Sequence, residues 1–352
     1  MEGIMMKSAD RYAVAVRKPD KEIEIKITNC SGPLSNKTLK KLPIVRGVVS
    51  FLDSLITGIK TLEYSASFFE DEEEEEKGKK PMTAEEKAAE EKKEKAAMAG
   101  TLALSFVIAL GIFVLLPYGL SRLLKRFIES ELLVVFLEGV LRLVILVAYM
   151  GVISLMEDIK RTYMYHGAEH KCINCIETGK PLTVENVQSS TRFHKRCGTS
   201  FLIIVALISI VFFMFIRVDE SVLSGPVRNL VQLALRLLLV PVIAGVSFEF
   251  IRLAGKGDNL FIRIISAPGL WLQRLTTQEP TDDMVEVAIA AVEAVFDWRK
   301  YLKDEFDVDC PAEEKTAEVN APGEADPDGE ADSDNTADPD GEVYITSEGE
   351  NE

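Results

Sequence analysis

Four long apolar runs punctuate the chain, at residues 100–120, 132–156, 200–216 and 230–254. Each is close to the roughly 20 residues a helix needs to cross a bilayer, so the pattern predicts four membrane spans. Ahead of them the chain alternates as strands do. Arg11–Arg17 (RYAVAVR) and Glu22–Thr28 (EIEIKIT) flank a turn at Lys18, Pro19 and Asp20, which predicts a small N-terminal β-hairpin. From Pro43 to Ala66 the period becomes helical, with Ile44, Val48, Phe51, Leu52, Leu55, Ile56, Ile59 and Leu62 on one stripe. That predicts an amphipathic helix able to lie on a membrane surface.

Thr83 and Glu86 fit a capping box, so a new helix is expected to start there and run into the first span. Beyond the fourth span, Asn259–Leu275 mixes apolar side chains with Arg263 and Arg274, the pattern of an interfacial segment anchored by Trp271. Thr281, followed by Asp282 and Asp283, makes a good N-cap for a helix to about Phe296. Its apolar face (Val285, Val287, Ala288, Ala291, Val292, Val295) must pack on something, and the segment between the second and third spans is one candidate.

The expected fold class is therefore mainly α: a polytopic helical membrane protein of about four spans, with a small N-terminal β-hairpin and a disordered acidic C-terminal tail. The segments read as 1–66 (hairpin and amphipathic helix), 67–98 (charged linker and helix), 99–254 (four-span domain with a His/Cys segment at 157–199), 255–303 (interfacial segment and helix) and 304–352 (tail).

The net charge of -16 adds little to this picture, because it gathers in the acidic run Glu70–Glu76 and in the tail. Solvated appendages, not an acidic active face, account for it, and a nucleic-acid partner is disfavoured. Basic residues crowd the segment before the first span and the segment between the second and third. The opposite loops hold only Arg122, Lys125 and Arg126, and Arg217 and Arg228. The bias places both termini and the His/Cys segment in the cytosol of a cell whose cytoplasmic membrane the chain spans. Its thiols should stay reduced there. Within the spans, Glu138 and Arg142 share a helix face, and Arg236 lies at matching depth in the fourth span, which predicts a buried Glu138–Arg142–Arg236 cluster. Helix-packing glue is the plainer role for it, a substrate or proton path the sharper one.

All of the 3 histidines and three of the 5 cysteines lie between Tyr163 and Ser200. His166-Gly-Ala-Glu169-His170 is an H-x-x-E-H pattern. On a helix, positions i and i+4 share a face, so both imidazoles reach one metal ion while Glu169 can take a proton from a water the ion holds. His194, Glu185 and Cys197 are the further candidate ligands. Two other readings use the same residues. Cys172, Cys175, His194 and Cys197 have nearly the spacing of a closed, structural zinc knuckle. Cys197, beside Lys195 and Arg196 at the start of the third span, could instead be a nucleophile with a histidine as base.

The stretches YHGAEHK, PLTVENV and FHKRCGTSFLIIV resemble the signature of the YqhQ-like bacterial membrane proteins, a family with a domain of unknown function (number 1385) described as predicted metal-dependent enzymes. MEGIMMKS, YAVAVRKPD, IVRGVVSFLDSL, SAPGLWLQRLTT and EPTDDMVEVAIAA carry the resemblance over about residues 1–296, outside the charged linker. The signature matches His166, Glu169, His170, Glu185, Asn186, His194, Arg196 and Cys197. Cys172 and Lys195 depart from the family's usual threonine and proline, and the first of these weakens the knuckle.

Residues and resemblance together lead to one working expectation: a metal-dependent hydrolase of unknown substrate. His166, His170 and His194 hold a divalent ion, with zinc the first choice. Glu169 is the general base, and Glu185 or Cys197 completes the site. The rival is a non-enzymatic scaffold that docks a protein partner, such as insertion or secretion machinery, at the cytosolic face.

Overall fold

The computed structural model describes residues 2–8, 11–30, 42–76, 84–216, 218, 225–254, 259–310 and 343–346. Three antiparallel strands open the chain: β1 (Gly3–Lys7), β2 (Arg11–Arg17) and β3 (Ile23–Asn29). The expected hairpin is β2–β3, in the register Tyr12↔Thr28 and Val16↔Glu24. The sheet is larger than a hairpin because β1 adds to the other edge of β2, pairing Ile4 with Ala15 and Met6 with Ala13. Those four side chains are buried on one face, and that face is what the short strand contributes.

α1 (Val45–Glu76) begins as expected but does not stop at Ala66. It continues through the acidic run, where glutamate is a good helix former, so the expected boundary at residue 66 is corrected and the first part of the charged linker is helix. Residues 77–83, including the capping threonine, lie outside the described residues. α2 (Ala84–Leu110) runs without a break into the first span, then through a π-helical turn (Gly111–Leu115) into α3 (Leu116–Leu124).

The next helices are α4 (Glu131–Ile153), α5 (Glu157–Glu177), α6 (Val184–Gln188), α7 (Gly198–Phe215) and α8 (Gly225–Ala254). Among the described residues, four helices are long and apolar enough to cross a membrane: Ala96–Leu124, Glu131–Ile153, Gly198–Phe215 and Val227–Ala254. α7 packs on both α4 and α8. The predicted ionic cluster is present between them, with Glu138 accepting from Arg142 and from Arg236.

α1 crosses α8 at a point where neither backbone has room for a side chain. A Cβ on Gly47 would stand 2.9 Å from Gly245 Cα, and one on Gly245 would stand 2.6 Å from the Ile44 carbonyl oxygen. Beside this crossing Arg46 makes a two-pronged ion pair with Glu249.

α9 (Leu260–Thr276) has the expected amphipathic form, exposing Leu260, Phe261, Ile264 and Trp271 while Ile262, Leu272 and Gln273 are buried. α10 (Asp282–Val295) buries all six residues of its predicted apolar face against the sheet, α5 and α6. Thr281 occupies the N-cap position but its hydroxyl makes no capping bond. A further short helix, α11 (Trp298–Phe306), follows; Trp298 and Leu302 anchor it in the same apolar core. It claims the first residues of the expected disordered tail. Residues 311–342 and 347–352 lie outside the described residues, and β4 (Val343–Thr346) pairs with the free edge of β3. The sheet, α5, α6, α10 and α11 thus form one body on the end of the helical bundle where α4 finishes and α7 begins.

Candidate metal centre

The His/Cys segment is built on α5, which starts one tight turn after α4. Tyr163 packs with Met150 of α4, Ile203 of α7 and Leu272 of α9. The next turn of α5 therefore sits at the mouth of the bundle, and His166 and His170 lie on it one above the other, ring centroids 4.4 Å apart. Gly167, between them, lets the chain after α9 press against the helix. Gln278 N donates to Tyr163 O at 2.9 Å, and a Cβ on Gly167 would be driven into the Gln278 carbonyl oxygen.

Each imidazole is oriented by a main-chain carbonyl. His166 Nδ1 lies 2.8 Å from Thr276 O, and His170 Nδ1 lies 2.7 Å from Arg192 O. A carbonyl can only accept, so both Nδ1 atoms carry hydrogen and a neutral ring keeps its lone pair on Nε2. His166 Nε2 lies 3.2 Å from Cys197 Sγ. The ligand atoms of His166, His170 and Cys197 all lie within 4.8 Å of one another, the only such group of three among the described residues.

Cys197 is the N-cap of α7, and its sulfur accepts from Thr199 N at 3.4 Å and lies 3.2 Å from Thr199 Oγ1. Burial alone would raise the thiol pKa, but hydrogen bonds with His166 and His170 outweigh it and bring it down to about 4. The His166 imidazole moves the other way. Burial disfavours its charge, yet the Cys197 hydrogen bond, then the charges of Cys197 and Glu169, raise it to about 9. The two shifts describe a proton held between His166 and Cys197; with both rings neutral, two Nε2 lone pairs and the sulfur converge, and a cation can take that proton's place.

Glu169, half-buried on the same turn of α5, interacts electrostatically with His166, His170, Cys197 and His194. Burial pushes its carboxyl above the usual range. His194 is near, with its ring 5.7 Å from that of His170, but its Nε2 turns to Glu177 Oε2 at 3.4 Å. Glu185 lies exposed in the first turn of α6, outside the group of three. The expected set is therefore brought together as His166, His170, Cys197 and Glu169, with His194 beside it and Glu185 apart.

The knuckle reading fails on position. Cys172 is fully buried in the apolar core with α10, and Cys175 Sγ points at Lys180 O and Pro181 O, 3.7 and 3.5 Å away. Neither joins His194 and Cys197.

Sequence reasoning missed the residues that hold this geometry. Gln273, with no exposed surface, accepts from His194 N at 2.8 Å and donates to His194 O at 2.7 Å and Ser200 Oγ at 2.8 Å. It clamps the loop that presents Cys197. Asn174, one turn beyond His170, donates to Thr191 O and Phe193 O and holds the other end of that loop. Glu177 binds both His194 and Arg196. One signal was legible for Gln273: an amide among the apolar residues of LWLQRL, with Arg274 taking the exposed side.

The donor set suits a divalent ion. Two Nε2 lone pairs and a thiolate at one point, each ring fixed by a second bond through Nδ1, are what a zinc site uses. Residues 42–298 match the family model described as "Protein of unknown function (DUF1385)". The chain is also 33% identical over 291 residues to the protein printed as "Uncharacterized protein YqhQ" of Bacillus subtilis (strain 168), covering 82% of this chain and 88% of that one. No solved structure matches it. By the span of the family match and the identity to this relative, the chain belongs to the DUF1385 family of YqhQ-like proteins.

Proposed function

We propose that the protein is a membrane-bound, metal-dependent hydrolase whose centre is His166, His170 and Cys197 with Glu169 as general base, facing the cytosol. The observation that carries this is the convergence of the three ligand atoms within 4.8 Å of one another beside the half-buried Glu169 carboxyl. Zinc is the ion that a two-imidazole, one-thiolate set favours, and three protein ligands leave a fourth position open. Bound there, it would supply Lewis acidity toward water and toward the oxygen of a scissile group. The chain's own part is to aim the imidazoles through Thr276 O and Arg192 O, to hold the sulfur at the start of α7, and to accept a proton at Glu169. A raised carboxyl pKa suits that task. Substrate would reach the centre at the membrane surface, since α4, α7 and α9 all meet at Tyr163.

A second reading is favoured by one contact, His166 Nε2 to Cys197 Sγ at 3.2 Å: a thiolate–imidazolium pair in which Cys197 is the nucleophile. Metal analysis of the purified full-length chain beside His166→Ala separates the two. The metal reading expects about one zinc per chain in the wild type and its loss in the variant. A metal-free wild type with intact fold transfers the case to the thiol. Glu169→Gln should keep the ion and abolish function in cells; a functional, metal-loaded Glu169→Gln protein would instead be a scaffold.

A further inference from the structure

A second polar site lies in the bundle at the end away from the histidines. Glu138 sits seven residues into α4, so about 20 Å of helix separates it from the turn that leads to His166. Its Oε1 accepts from Arg142 Nη2 at 3.2 Å and from Arg236 Nη1, and its Oε2 accepts from Ser121 Oγ at 3.2 Å. One carboxylate thus serves two guanidinium groups. Helix glue needs one cation per anion, and a second positive charge in a span is costly unless something answers it.

Aromatic faces answer part of it. The Phe213 ring lies 5.3 Å from the Arg142 guanidinium and 5.1 Å from that of Arg236. Arg142 Nε is taken by Phe113 O, 3.1 Å away, in the π-helical turn of the first span. Arg236 is different. It is 4% exposed, and its Nε finds no hydrogen-bond partner among the described residues. A buried guanidinium N–H left unmatched is a standing cost, and a charged acceptor beside the guanidinium offsets it most strongly.

A cavity is lined in part by Arg236. It has a volume of about 30 Å³, and its wall includes Arg236, Glu138, Arg228, Arg122, Lys125 and Glu131. Arg122 and Lys125 are exposed, so the cavity reaches the surface between α3, α4 and the start of α8. Four of those six side chains are cationic and two anionic, and Glu131 is already engaged by Arg228 at 3.0 Å and Lys125 at 3.4 Å. At 10–15 Å³ per water, the enclosed part holds about two waters. That excludes a sugar or a nucleotide but admits the oxygens of one phosphoryl group whose remainder stays outside.

We propose that the cavity between α3, α4 and α8 is an anion site that takes a single phosphoryl group, either the headgroup phosphate of an anionic lipid or free inorganic phosphate. The inference does not rest on the metal centre. The full chain in detergent is tested in two arms: native mass spectrometry compares retained phosphatidylglycerol with phosphatidylcholine, and a thermal-unfolding titration follows inorganic phosphate against chloride at equal ionic strength. Preference for phosphatidylglycerol without a phosphate response identifies the lipid; a specific phosphate response identifies the free anion. Arg122→Gln, on the exposed rim where folding is safe, should weaken the responding arm about five- to tenfold, and Arg236→Gln should weaken it at least as much. Glu138→Gln should strengthen it, since a competing negative charge is gone. Arg126→Gln, exposed and outside the cavity, should leave it unchanged. Absence of both responses in the wild type, or an Arg122→Gln protein that binds like the wild type, overturns the proposal.

Discussion

Cys197 Sγ and His166 Nε2 face each other at 3.2 Å, yet they come from helices joined by no direct contact in sequence. The sulfur is fixed by the first turn of a membrane span, the imidazole by a carbonyl at the end of α9. On the proposed metal reading, which expects about one zinc per chain, Cys197→Ala should bring that content to near zero. Cys172→Ala, in the apolar core, should leave it unchanged. Metal analysis of both purified variants checks this, and zinc loss in Cys172→Ala alone would restore the knuckle.

Gln273→Ala removes three buried hydrogen bonds to the loop that carries Cys197. Leaving His194 N and O unmatched should cost about 2–4 kcal/mol, at the upper end for a single buried polar substitution. Thermal unfolding in detergent reads the loss. A midpoint like that of the wild type would show that water replaces the amide.

Gly167→Ala places a methyl against the Gln278 carbonyl oxygen, which the helix and the chain between α9 and α10 cannot both avoid. Overpacking of this kind costs about 1–3 kcal/mol and should separate His166 from Thr276 O, so on the proposed metal reading zinc binding should fall with stability. Gly151→Ala, where a Cβ meets nothing within 4 Å, is the matched control and should behave as wild type.

Glu177 gives a pH dependence whose sign is set. Its hydrogen bond with His194, and then the Arg196 charge, hold the carboxyl below its ordinary 4.5 against the effect of burial. A depressed folded-state pKa stabilises the fold above the unfolded value, and that contribution disappears as pH falls through the lower folded value. Glu177→Gln should thus be less stable than wild type at neutral pH and should lose less on acidification toward about pH 3. Parallel acid limbs for the two proteins would refute the assignment.

The four spans were legible in the sequence as long apolar runs and the α10 face as a helical period, while the H-x-x-E-H spacing puts His166 and His170 on one face only once a helix is granted. The Glu138–Arg142–Arg236 cluster was legible too, because charges in apolar runs must find each other. β1 was not, since Gly3–Lys7 offers only Ile4 and Met6 as inward positions and its partner strand decides its fate. Among His194, Glu185 and Cys197, spacing cannot say which reaches the two imidazoles. That choice depends on Gln273 and Asn174, which steer the loop from elsewhere in the chain and carry no metal-ligand signature of their own.

The crossing of α1 and α8 has a mechanical consequence. α1 is a single helix of 32 residues, about 48 Å of continuous rod. One end is pinned to a span by Gly47, Gly245 and the Arg46–Glu249 pair, and farther along it meets the sheet through Asp53 with Lys7 and Thr61 with Met5. A tilt of α8 within the bilayer would be levered along that rod into the sheet, and the sheet rests on α10, which rests on α5. A continuous path of contacts thereby joins an apolar, membrane-length helix to the helix that carries His166, through a part of the chain that holds none of the chemistry.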